Sequence, residues 1–207
     1  MSPIITHEDE LTLAKDEKEL AAQIKRLANA QSDVISSQKK YAENLAKMNL
    51  ARKSLNRTFR DVLKQMQTLV REHRSNVKDE DVNLFQDLIH KNDKYIEDND
   101  KYFNAIKDLA VKKEYFIEKK NEFAEALIDV SDKRTKVIKK ALSVENIKNK
   151  MVEGDKLNLL DQQLNDVQRE FDRARDVLLK RIDQFLQVRD ELKELYVNLK
   201  DTTTELS

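Results

Sequence analysis

The chain has 207 residues, of which 38% are charged and 39% hydrophobic, with 39 basic and 39 acidic side chains that cancel. One glycine and one proline are too few for a sheet protein or for an enzyme with many tight turns, because turns need a positive or a preset φ. With no cysteine there is no disulfide framework and no thiolate chemistry, and no apolar run approaches the ~20 residues of a membrane span.

Residues 1–7 show no periodicity and read as a tail, with Thr6 and Asp9 as an N-cap signal three residues apart. Helix 1 is expected over about 8–74. Its ladder of apolar residues steps by seven through Leu13, Leu20, Leu27, Val34, Tyr41, Met48, Leu55, Val62 and Leu69. Seven residues are two helical turns, so such a ladder keeps one narrow face apolar over a great length. A companion seam is mixed, with Ile24, Leu45, Phe59 and Met66 against Glu17, Gln31, Gln38 and Arg52. The break before helix 2 has no glycine but offers Ser75, Asn76 and Asp79 as cap formers. So short a connection makes helices 1 and 2 antiparallel neighbours.

Helix 2 is expected over about 79–152. Its ladder, Leu88 to Val137, lies beside a second row of Ile89, Ile96, Phe103, Ala110, Ile117, Ala124 and Ile138. Two adjacent rows make a wide apolar face that needs more than one neighbour. Gly154 suits a left-handed C-terminal cap, and Asp155 is a candidate N-cap for helix 3, over about 155–205. Helix 3 has the cleanest heptads, from Leu157 to Leu206. The fold class is all-α: three very long antiparallel helices in a single domain over 8–207.

No enzyme is expected. His7, His73 and His90 lack a second ligand at metal spacing, and His90 with Asp93 reads as a solvent-facing pair. Glu97, Asp98 and Asp100 read as a solvated face. There is no glycine-rich phosphate loop and no nucleophile elbow, so neither a cofactor nor a small-molecule substrate is expected. The neutral total hides blocks. Residues 39–74 carry a net charge of +7, residues 75–132 one of −6 and residues 133–156 one of +5. The last block holds Lys133, Arg134, Lys136, Lys139, Lys140, Lys148 and Lys150 around the helix 2–helix 3 hairpin. The first includes Arg52, Lys53, Arg57, Arg60 and Lys64, facing either the acidic stretch 79–100 of helix 2 or an outside partner. Nothing pairs bases with aromatics as a nucleic-acid platform does, so nucleic acid is not an expected partner.

In helix 3 the step Glu170-Phe171-Asp172-Arg173, then Phe185, then Arg189-Asp190-Glu191-Leu192 running to Tyr196, resembles the last helix of a BAR domain of the sorting-nexin type. The three-helix plan and the basic hairpin fit the same family. The resemblance implies a BAR-like coiled-coil bundle that dimerises, with itself or with a related BAR protein, into a curved six-helix body. It implies adhesion to anionic membrane lipids through a tip loop near 141–156. There Lys133, Arg134, Lys136, Lys139, Lys140, Lys148 and Lys150 would be the contacts, with Arg52, Lys53, Arg57, Arg60 and Lys64 as a secondary basic face. It also implies a cytoplasmic, peripheral location, on endosomes above all, and a role in protein transport. The rival is a structural coiled-coil scaffold or tether acting only through protein contacts.

Overall fold

The structure, a computed structural model, describes residues 6–72, 78–149 and 155–205. Three α-helices make up the described fold: α1 His7–Arg71, α2 Asp79–Lys148 and α3 Asp155–Glu205. The starts are set by local chemistry. Thr6 Oγ1 accepts from the Asp9 amide at 3.2 Å, while Asp9 accepts the Thr6 amide at 2.8 Å, a reciprocal capping box. At α2 the Lys78 amide donates to Asp81 at 3.0 Å, so Lys78 is the cap residue and Asp79 already the first helical one. Acidic side chains fill both first turns, with Arg71 and Lys148 in the last turns, as the helix dipole favours. α1 therefore begins inside the expected tail, and its described part ends at Arg71. α2 runs as helix to Lys148, within the expected 79–152, so residues 141–148 of the tip loop that the resemblance implies are helical. The proposed caps Ser75, Asn76 and Gly154 lie outside the described residues.

The contacts divide the chain into two compact units. In unit 1 (Met1–Asp33 and Lys113–Glu191) the helices run antiparallel, with Lys18 on Asp132 at 2.5 Å and Arg181 on Glu122 at 2.6 Å. The core centres on Ala21, Ala124 and Leu127, with Ile24, Phe123, Ile128 and Leu178 packed around them. Phe185 of α3 stacks against Phe116 and Phe123 of α2, with centroids at 4.9 and 5.9 Å. Both apolar rows of α2 are used here, since Val130 and Ser131 are equally enclosed. Ser131 donates its hydroxyl to the Ala14 carbonyl.

In unit 2 (Val34–Lys112 and Leu192–Ser207) the buried row comprises Ile35, Ala42, Asn49 and Asn56 of α1 against Ile89, Ile96 and Ala110 of α2. Phe59 meets Phe85 edge-on at 5.5 Å.

One expectation is displaced. In each unit the seam of α1 that packs is not the ladder of large residues but the row one residue later. Ala14, Ala21, Ala28, Ile35, Ala42, Asn49 and Asn56 are buried, while Leu13 to Leu69 stand 37–56% exposed. The physical reason is fit: α2 also contributes Ala110, Ala124 and Ala126, and small residues let two helix axes approach where leucines would hold them apart.

Candidate functional site

The basic residues expected to meet a target fall into three groups. Arg134 is turned inward in unit 1. Its guanidinium donates to Glu10 at 2.7 Å and to Glu17 at 3.0 Å, and lies 5.2 Å from the Phe171 ring. Burial would lower its pKa, but the two carboxylates more than offset this and hold it charged. Lys133 pairs with Asp129 one turn back at 3.4 Å.

The second group surrounds a shallow groove of about 470 Å³ between α2 and α3, lined by Lys136, Lys139, Lys140, Ser143, Gln163, Asp166 and Val167. Lys136, Lys140 and Ser143 recur at spacings of four and three, so they share one face of α2. Lys140 donates to Gln163 of α3. Asp166 faces Arg169 at 3.6 Å. No carboxylate among the described residues forms an ion pair with Lys136, Lys139 or Lys140. Lys148 sits farther along α2, 3.8 Å from Asp161. Lys150 lies outside the described residues. The groove can set an anion against three ammonium groups and two neutral polar side chains, with Asp166 as its one lining carboxylate; Ser143 and Gln163 carry no sequence signal of their own.

The secondary basic face belongs to unit 2, and most of it is engaged within the chain. Lys53 pairs with Asp100 at 2.6 Å and Arg60 with Asp93 at 2.5 Å. Arg52 stacks over Tyr95 at 4.0 Å. Lys64 meets Asp61 at 3.9 Å. Arg57 is exposed and makes no ion pair among the described residues. Two acids expected to be solvated or to face His90 are thus spoken for: Asp100 by Lys53 and Asn49, Asp93 by Arg60 and Asn56. The buried asparagines were not anticipated, although Asn49 and Asn56 repeat at a heptad and each precedes a base by four residues.

Among the described residues no helix is long and apolar enough to cross a membrane, and no group of three or more His, Asp or Glu is placed to hold a metal ion. Comparison with family models, with curated proteins and with solved structures finds no match.

Proposed function

We propose that the chain is a peripheral membrane module of the BAR-like kind, meeting anionic lipid through the α2–α3 groove in unit 1. The observation that carries this reading is the convergence of Lys136, Lys139 and Lys140 on one groove without carboxylate partners. Each cation near an anionic leaflet contributes about 1 kcal/mol of attraction. The contact set accordingly centres on these three, while Arg134 serves the bundle and Lys133 and Lys148 are engaged by Asp129 and Asp161. The resemblance in α3 adds the rest: dimerisation with itself or a relative into a curved body, and an endosomal, cytoplasmic-face location.

Co-sedimentation with phosphatidylcholine vesicles containing graded phosphatidylserine tests the reading. Binding should rise with anionic content and fall with salt, and the triple variant K136E/K139E/K140E should lose it by more than about tenfold. Binding that ignores lipid charge, or that survives the triple reversal, overturns it. The second reading, a scaffold working through protein contacts alone, is favoured by the uncovered apolar ladder of α1 and predicts no vesicle binding at all.

A further inference from the structure

Ser143 is preceded by bases at both three and four positions before it, Lys140 and Lys139. No other serine or threonine of the chain has more than one base in that window. Two cations at that distance match a protein kinase whose substrate cleft is acidic, by charge complementarity.

The fold gathers the same lysines around the hydroxyl. Spacings of three, four and seven residues put Lys140, Lys139 and Lys136 on the Ser143 side of α2, and all four line the α2–α3 groove. Ser143 is exposed. Its hydroxyl bonds only within its own helix, donating to the Lys139 carbonyl at 2.8 Å. From α3, Gln163 accepts from Lys140, and the lining carboxylate of Asp166 lies 3.6 Å from Arg169. The hydroxyl therefore sits among three ammonium groups that have no carboxylate partner of their own.

We infer that Ser143 is a phosphorylation site, and that its phosphate takes the three groove lysines in place of an anionic lipid. The phosphoryl group comes from a nucleoside triphosphate held by the kinase. The Ser143 oxygen bonds to the γ-phosphorus, the bond from that phosphorus to the bridging oxygen breaks, and the nucleoside diphosphate leaves. The hydroxyl proton passes to a base of the kinase. The product carries a charge between about −1.5 and −2 and three acceptor oxygens, which offsets most of the groove's positive charge. Ser143 stands five residues before Lys148, clear of the last turn, where the helix dipole would oppose an anion.

A kinase takes its substrate extended, so the end of α2 has to open. Val144 is the only buried side chain from 139 to 149. The ion pairs that tie this stretch down, His7 with Glu145 at 3.7 Å and Lys148 with Asp161 at 3.8 Å, are exposed and hold it weakly. A helix end with so few buried contacts belongs to the parts of a fold that open first.

What the phosphate displaces rests on the membrane reading; where it sits does not, and two measurements separate the two. The whole chain is incubated with ATP, magnesium and a purified kinase of this base preference. One phosphate should appear on Ser143 by mass spectrometry, and none there in S143A. In phosphorus NMR its second pKa should fall below the ordinary value of about 6. The shift should shrink in K136Q, which keeps both bases that the kinase selects. On vesicles of phosphatidylcholine and phosphatidylserine, the phosphorylated chain should bind about tenfold or more weakly than the unmodified one, since each cancelled charge near the leaflet is worth roughly fivefold. Kinase treatment should not alter the affinity of S143A. An unmodified chain that ignores the vesicles sinks the membrane reading and leaves the NMR shift to decide whether the lysines hold the phosphate. No incorporation at Ser143, a second pKa of about 6 or above, or a phosphorylated chain that binds vesicles as well as the unmodified one overturns the inference.

Discussion

Asn56 of α1 donates its side-chain amide to Asp93 of α2 at 2.5 Å, and one heptad earlier along α1 Asn49 does the same to Asp100 at 2.7 Å. Each asparagine also reaches a backbone carbonyl of α2, Ile89 at 3.5 Å and Ile96 at 3.0 Å. Each aspartate accepts a second donor from the base four residues farther along α1, Arg60 or Lys53. The same clasp thus occurs twice, seven residues apart on both helices and in opposite directions. Buried amides have partners only in one register, so the clasps fix the alignment of a hairpin whose apolar contacts alone would tolerate a slip.

The clasp can be weighed by removing one amide. Asn56→Ala takes one partner from the half-exposed Asp93 carboxylate and from the Asn92 amide, which donates to Asn56 at 3.1 Å, and empties a position that is itself fully buried. The expected loss is about 2 kcal/mol in urea denaturation. Arg57→Ala, one residue on and exposed, should change stability by no more than about 0.5 kcal/mol. Equal effects from the two would mean that the clasp does not hold the hairpin.

Asp100 makes the same clasp sensitive to acid. The hydrogen bond from Lys53 is the main influence; burial opposes it, and Asn49 and the Lys53 charge add to it. The net effect holds the carboxyl below its ordinary 3.8. A folded-state pKa below the unfolded one means stability that is present above about pH 4 and lost as pH falls through the folded value. The pair is partly open to solvent, so the contribution is small. Asp100→Asn should therefore melt below wild type at pH 7, and the gap should narrow as the pH is lowered below about 4. A gap that is constant across this range would show that the carboxylate's ionisation plays no part.

Helix number and type were legible in the sequence because a seven-residue period over eight or nine repeats has no other regular solution. The packing face of α1 was not. Counting hydrophobicity selects Leu13, Leu20 and Leu27, whereas close approach of two helices selects Ala14, Ala21 and Ala28, and only the second criterion describes the contact. Charge counting had the same weakness at the basic end. Arg134 follows buried Leu127 by one heptad and buried Lys120 by two, which marks it as inward; Lys136, Lys139 and Lys140 fall off that row. The groove itself needed the alignment of Gln163 with Lys140, and no spacing within a single helix encodes it.

Arg134 offers a way to separate structural from surface cations. Arg134→Met removes the only cation that pairs with Glu10 and Glu17 among the described residues. Glu17 keeps only 15% of its side chain exposed. Leaving carboxylates uncompensated in such a place should cost roughly 2–3 kcal/mol, read as a lowered urea midpoint. Lys136→Met should leave the midpoint unchanged. Vesicle affinity should respond in the opposite order, falling for Lys136→Met and holding for Arg134→Met under conditions where that variant is folded.

Lys120 presents the reverse case, a buried cation without a counterion. It is 6% exposed. Its ammonium donates to Gln31 at 2.5 Å and sits 4.9 Å from the Phe116 ring, and no carboxylate among the described residues pairs with it. Burial lowers its pKa from the usual 10.5. A lysine that is harder to protonate when folded subtracts from stability at neutral pH, and the deficit fades as pH rises through the folded value towards 10.5. Lys120→Met keeps the packing of the stem and removes the charge. It should raise stability by about 1 kcal/mol at pH 7, and the advantage should shrink in melts at pH 10. A variant that is less stable than wild type at both values would mean that the contacts with Gln31 and Phe116 outweigh the cost of desolvating the ammonium.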